Sequence, residues 1–198
     1  MKVCEQYFMH KLYREIMIMQ PARAIVKEMF EKREQFHPSK QFVHMEKMCP
    51  WKAHLFSLED ENNCWGETKF VFYKDERKMY RIQAVPFAEM GFDNRCSIHK
   101  DYRGLRQDEL NKAAGITDGE FVHAAGFIGG AWSMESCLKM AEASLKQHEI
   151  EKAEKEAEKA KEAAEKAAKG EADFYKQSEL QKKQKLDQWV WANQQDSK

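Results

Sequence analysis

The chain has 198 residues, enough for one domain of ordinary size, and its 33 Lys and Arg balance its 33 Asp and Glu to a formal charge of zero. No global field therefore draws it to nucleic acid, and any basic site must be local. No apolar run approaches the ~20 residues of a membrane span, and the first residues lack the apolar segment and small-residue cleavage site of a secretory signal.

Val3, Tyr7, Phe8, Leu12, Ile16 and Met19 recur at three- and four-residue spacing. They predict a helix that ends before Pro21 and offers this stripe to the core. A second helix starts at Pro21, whose missing N–H does no harm in a first turn. It buries Ile25, Val26, Met29 and Phe30, and His37-Pro38 stops it. Residues 41–46 alternate apolar and polar side chains as a short strand does. Cys49-Pro50-Trp51 then opens a helix through about Asp60. Aromatic and β-branched residues dominate 69–73 and 79–85, and the polar run 74–78 between them signals a hairpin. After a loop through Gly91 and Asn94, residues 107–114 read as a short helix stopped by Gly115.

Residues 120–130, Glu-Phe-Val-His-Ala-Ala-Gly-Phe-Ile-Gly-Gly, run from a strand into a glycine loop. Ser133 is the candidate N-cap of a helix beginning at Met134. Glycines let the backbone approach a ligand, and the free N–H groups at a helix start favour an anion such as phosphate. GxxGG lacks the Lys-Ser/Thr of a P-loop and the spacing of a dinucleotide fingerprint, so a tight structural turn stands as the alternative.

Composition changes near Gln147, after which the chain is almost wholly Glu, Lys and Ala. These are strong helix formers, and Glu151 with Lys155, Glu162 with Lys166 and Glu165 with Lys169 make favourable i,i+4 pairs. Without a Leu or Ile seam the segment reads as a solvated single helix rather than a coiled coil. Gly170 should interrupt it. Phe174, Tyr175, Leu186, Trp189 and Val190 form a weakly amphipathic tail that can fold back or meet a partner. The expected divisions are 1–148, 149–169 and 170–198, and the expected class is α+β, a small mainly antiparallel sheet flanked by helices with a long charged helix at the end.

Five cysteines, Cys4, Cys49, Cys64, Cys96 and Cys137, are odd in number and contain no CxxC pair. They argue against a disulfide framework or a thiolate zinc site and for a reducing, intracellular compartment. The seven histidines include no His-His and no Asp-His pair.

Five stretches in series, residues 21–26 (PARAIV), 49–55 (CPWKAHL), 80–86 (YRIQAVP), 102–106 (YRGLR) and 121–130 (FVHAAGFIGG), carry a resemblance. Together they resemble the C-terminal half of the melanocyte-proliferating-gene exonucleases, a branch of the DHH phosphoesterases, over about residues 1–148. That resemblance implies a two-lobed 3′ to 5′ exoribonuclease of nucleus and mitochondria, extended here to nucleus, mitochondrion or cytoplasm. Its DHH lobe would bind manganese or magnesium through Asp and His residues, and the second lobe would orient the substrate phosphate. This chain matches the second lobe alone, so no metal and no catalytic residue is expected on it, and it should be inactive by itself.

Carried over position by position, Gly126, Gly129 and Gly130 would approach a phosphate, with His123 leading into the loop and Ser133 at the helix start. Arg103 and Arg106 offer planar forks for phosphate. Arg81 and Gln83 share one face of a strand. Lys52 and His54 follow Trp51, which either stacks on a base or anchors the core. After the glycines, Ala131 and Met134 stand where the family carries a small polar and a basic residue, which lowers the expected phosphate affinity. The implied partners are RNA or a nucleotide phosphate at low affinity, a separate DHH lobe, or another protein met through the C-terminal helix, and no membrane. A protein-interaction module derived from the same lobe is the rival reading.

Overall fold

The computed structural model describes residues 2–195, with the backbone alone for most of 167–195. It divides into two compact units, Met1–Glu149 and Ile150–Lys198.

The first unit is α+β, as expected, and is built on a five-stranded sheet of order β1-β2-β3-β5-β4. The strands are β1 (Phe42–Met45), β2 (Phe70–Lys74), β3 (Tyr80–Ala84), β4 (Gly119–Val122) and β5 (Ile128–Ala131). Only β1 and β2 run parallel; every other neighbouring pair is antiparallel. The parallel pair needs a crossover, which α4 (Lys52–Glu61) supplies. The β2–β3 hairpin forms where the aromatic runs and polar turn placed it. Its loop is closed by Asp75, whose Oδ1 accepts from the Arg77 and Met79 amides at 2.9 and 3.0 Å.

Period-two alternation sorts the strand residues onto two cores. On one face Phe42, Phe70, Phe72 and Ile82 pack with Leu110 of α5 (Gln107–Ala114) and with Cys137, Met140 and Leu145 from the first turns of α6 (Met134–Gln195). On the other, Val43, Met45, Val71 and Tyr73 pack with Val26, Met29 and Phe30 of α2 (Gln20–Glu31) and with Trp51 and Leu55. Trp51, 2% exposed, is thus a core anchor. Beyond β2 the second face is less covered, and Arg81, Gln83, Phe121 and Ile128 are half-buried.

A buried ion pair ties α4 to the loops around it. Glu59 takes hydrogen bonds from the Thr68 amide at 2.9 Å and from Arg95 Nη1 at 2.8 and 2.7 Å. Both side chains are essentially inaccessible, at 0% and 1% exposure. The Arg95 guanidinium also lies over the rings of Phe56 and Trp65, 4.9 and 5.0 Å from their centroids.

Three expectations are corrected. The first helix, α1 (Lys2–Arg14), does not end before Pro21: a π-helical turn, Glu15–Met19, carries it into α2. Its stripe is not core either, since Val3, Tyr7, Phe8, Leu12 and Ile16 are 40–78% exposed. Such stripes need a facing surface, and among the described residues the main neighbour of α1 is the π-helical turn that follows it.

The second correction concerns the glycine motif. It is a β4–β5 hairpin rather than a strand that runs through a free loop into a helix. Gly129 and Gly130 lie in β5, paired with Ile82 and Arg81 on one side and with Val122 and Phe121 on the other. Their main chain is engaged in the sheet. The Gly126 amide closes the turn on the His123 carbonyl at 2.8 Å. Glycine is required here for close packing. At Gly130 a Cβ would meet the Tyr80 carbonyl at 3.1 Å, and at Gly126, with φ +68°, it would meet Arg103 Nε at 2.6 Å.

Third, α6 continues past Gly170 without the expected interruption. In the second unit the helix is charged and solvated through residue 166, with Lys152 and Glu156 paired at 3.9 Å. The tail residues Phe174, Tyr175, Leu186, Trp189 and Val190 lie outside the described side chains.

A candidate binding pocket on the open face of the sheet

Where the second face of the sheet runs out from under α2 and α4, a cavity of about 470 Å³ opens, in the size range of small-molecule sites. Gln83 forms part of its wall from β3, and Lys52 enters from the first turn of α4. The β4–β5 turn supplies Phe127, and the loop after β3 supplies Met90, Phe92 and Asn94. That loop is tied at its neck by pairing of Pro86 with Asn94 and by the Phe87 amide on the Asp93 carbonyl at 2.8 Å. Gln83 and Lys52 have no side-chain hydrogen bond or ion pair among the described residues. Their polar ends are therefore available to whatever enters.

The site residues named from the sequence separate into three groups. Gln83 and Lys52 line the pocket. His123 and Arg103 flank the turn that carries Phe127. The His123 ring packs on Phe127 with centroids 4.6 Å apart, and its Nδ1 accepts from the Ala125 amide at 3.1 Å. Arg103 donates from Nε to the Ile98 carbonyl at 2.8 Å while lying against Gly126. Arg81 is two residues from Gln83 on the same face, one row away. Its Nε and Nη2 hold Asp75 Oδ2 at 3.0 and 2.8 Å, its guanidinium lies 4.8 Å from the Phe121 centroid, and Nη1 has no partner.

The third group lies apart. Arg106 is exposed at the start of α5, its backbone bridged to Phe121. His54 sits half-buried on α4 with Nε2 unpartnered. Ser133 caps α6 as expected, its Oγ accepting from the Ser136 amide at 3.2 Å. The chain's own Asp118 carboxylate, however, lies beside the first residues of that helix. Burial pushes the Asp118 carboxyl up, but the neighbouring Ser136 and Ser133 hold the group below its ordinary value, although its Oδ1 is buried without a hydrogen-bond partner among the described residues. An internal carboxylate at this position adds negative charge beside the positive end of the helix.

Sequence reasoning missed the loop wall. The available signal was two phenylalanines and a methionine, Phe87, Met90 and Phe92, in a Pro-, Gly- and Asn-punctuated loop where polar residues are the rule. Among the described residues no three His, Cys, Asp or Glu side chains converge as ligands. No helix among the described residues is long and apolar enough to cross a membrane.

A family model described as an uncharacterised protein family, UPF0160, and labelled MYG1 exonuclease matches residues 1–145. The chain is similar to the MYG1 exonuclease of Bos taurus, with 42% identity over 125 residues, covering 63% of this chain and 33% of the relative. The MYG1 exonuclease of Homo sapiens gives the same identity and coverage, 42%, 63% and 33%. The MYG1 protein of Dictyostelium discoideum is 38% identical over 141 residues, 71% of this chain and 43% of the relative. The chain thus spans about a third to two-fifths of the length of the curated relatives it matches. No solved structure matches it.

Proposed function

The chain belongs to the MYG1 exonuclease family, UPF0160, and from that premise we propose that it acts as a substrate-binding lobe for nucleic acid, holding an RNA end or a nucleotide in the pocket beside Gln83. The hydrolytic metals would come from a DHH-type lobe outside the described residues, and the setting would be intracellular, in nucleus, mitochondrion or cytoplasm. The observation that carries this reading is the pocket: aromatic surface from Phe92 and Phe127 meets the unpartnered ends of Gln83 and Lys52. Aromatic faces suit stacked bases, and cations at the rim suit phosphate. Arg103 and His123 flank the turn, and Arg81 has one free nitrogen a row away. The bond-breaking step is assigned to the metal-bearing lobe, and the role proposed for this chain is to bind and orient.

The test is anisotropy of a labelled single-stranded RNA titrated with the purified chain at increasing salt. Weak binding should fall log-linearly with salt, by about 0.7 in slope for each phosphate engaged, and Arg103→Ala should flatten the slope by about that amount. No binding at low salt would remove the proposal. Metal-dependent hydrolysis of the RNA by this chain alone would remove the assignment of chemistry to another lobe.

A protein-interaction module is the second reading, favoured by α1, where Tyr7 and Phe8 are each 64% exposed and Ile16 is 54% exposed. It predicts concentration-dependent association without salt-dependent RNA binding. A contact through Trp189 and Trp191 would belong to this reading as well; both residues lie outside the described side chains.

A further inference from the structure

We infer that the pocket beside Gln83 is a nucleobase site that reads an amino-bearing ring edge, adenine in preference to uracil. The inference rests on the substrate-lobe reading above and specifies what the pocket holds. The shape is the first argument. Phe92 is 97% exposed and Met90 88% exposed on a loop whose neck is tied, so their exposure is a property of the closed loop and not of a frayed end. Phe127, 38% exposed, faces the same cavity from a different element. Two aromatic side chains and a polarizable thioether around about 470 Å³ favour a flat ring over an extended aliphatic ligand.

The polar groups are the second argument. Gln83 is held by strand pairing to Val71 on one side and Ile128 on the other, so its amide emerges from a fixed backbone. An amide presents a donor and an acceptor side by side, the complement of the N6 amino group and N7 of adenine. Asn94 is fixed at the loop neck by its 3.1 Å contact with Ser97 Oγ. Glu89, also in the lining, can only accept while ionised. An exocyclic amino group satisfies such an acceptor, and a uracil carbonyl is repelled by it. Lys52, the cation of the lining, is left for the phosphate.

The experiment is isothermal titration calorimetry of the whole chain with 5′-AMP, 5′-UMP and ribose 5-phosphate. AMP should bind about tenfold more tightly than either of the others, and Gln83→Leu should abolish the margin over UMP. Phe92→Ala should weaken AMP about tenfold and leave ribose 5-phosphate unchanged. Because Phe92 packs on no core, that variant reads the pocket and not the fold. Equal binding of all three, no binding of any, or a margin for AMP that survives both substitutions overturns the inference. Salt-dependent RNA binding without base preference overturns it while leaving the substrate-lobe reading intact. AMP preference without RNA binding supports the base site and removes the RNA-end reading.

Discussion

Beside the start of α6 the Asp118 carboxyl is held below its ordinary value by its Ser133 and Ser136 neighbours against the burial that raises it, and its charge complements the positive helix end. Its folded value lies below the ordinary 3.8, so the charged form stabilises the fold fully above 3.8, and this contribution is lost as pH falls through the lower folded value. Asp118→Asn should reduce stability by about 0.5–1 kcal/mol near neutrality. Urea unfolding at successively lower pH should show the gap between variant and parent closing below the carboxylate range. A gap constant with pH would show that the charge is not what matters there. Strand, glycines and Ser133 are all legible in the sequence, but nothing near Asp118 in sequence says that its carboxylate comes to lie beside the helix start.

Among the elements, the α4 crossover depends on the pair it buries. Arg95 to Met would leave the Glu59 carboxylate buried with backbone amides as its only partners, at a loss of about 3–5 kcal/mol. The double variant Glu59→Leu with Arg95→Met should recover much of that, measured as the denaturant midpoint. Additive losses would mean the two side chains act independently. The elements themselves divide by how local their cause is. The β2–β3 hairpin is readable because aromatic and β-branched runs flank a polar turn, and α5 because Gly115 ends it at φ +63°. The β4–β5 hairpin is not, because Gly129 and Gly130 have poor strand propensity and are placed by neighbours distant in sequence, Tyr80 and Arg81 among them. The loop at 86–94 has no period for pattern reading to find. Its contribution to the pocket depends on the neck formed by Pro86 and Asn94.

For the whole molecule, the helix α1 is the outlier, an apolar segment that reaches neither core. If it stands clear of the body, replacing Phe8 and Leu12 together by Glu should lower binding of an apolar fluorescent dye. Global stability should change by no more than about 0.5 kcal/mol. A large loss of stability would mean that these side chains pack on something. The sequence correctly marked the stripe as an apolar face; it could not say what covers that face, because periodicity reports a face and not its partner.

Strand order carries a consequence for synthesis. Because β5 separates β3 from β4, a chain leaving the ribosome presents β3 with an unsatisfied edge throughout the translation of the pocket loop and α5. Until residue 131 has emerged, the aromatic hairpin is open to pairing with other nascent chains, so chaperone dependence should be concentrated in that interval.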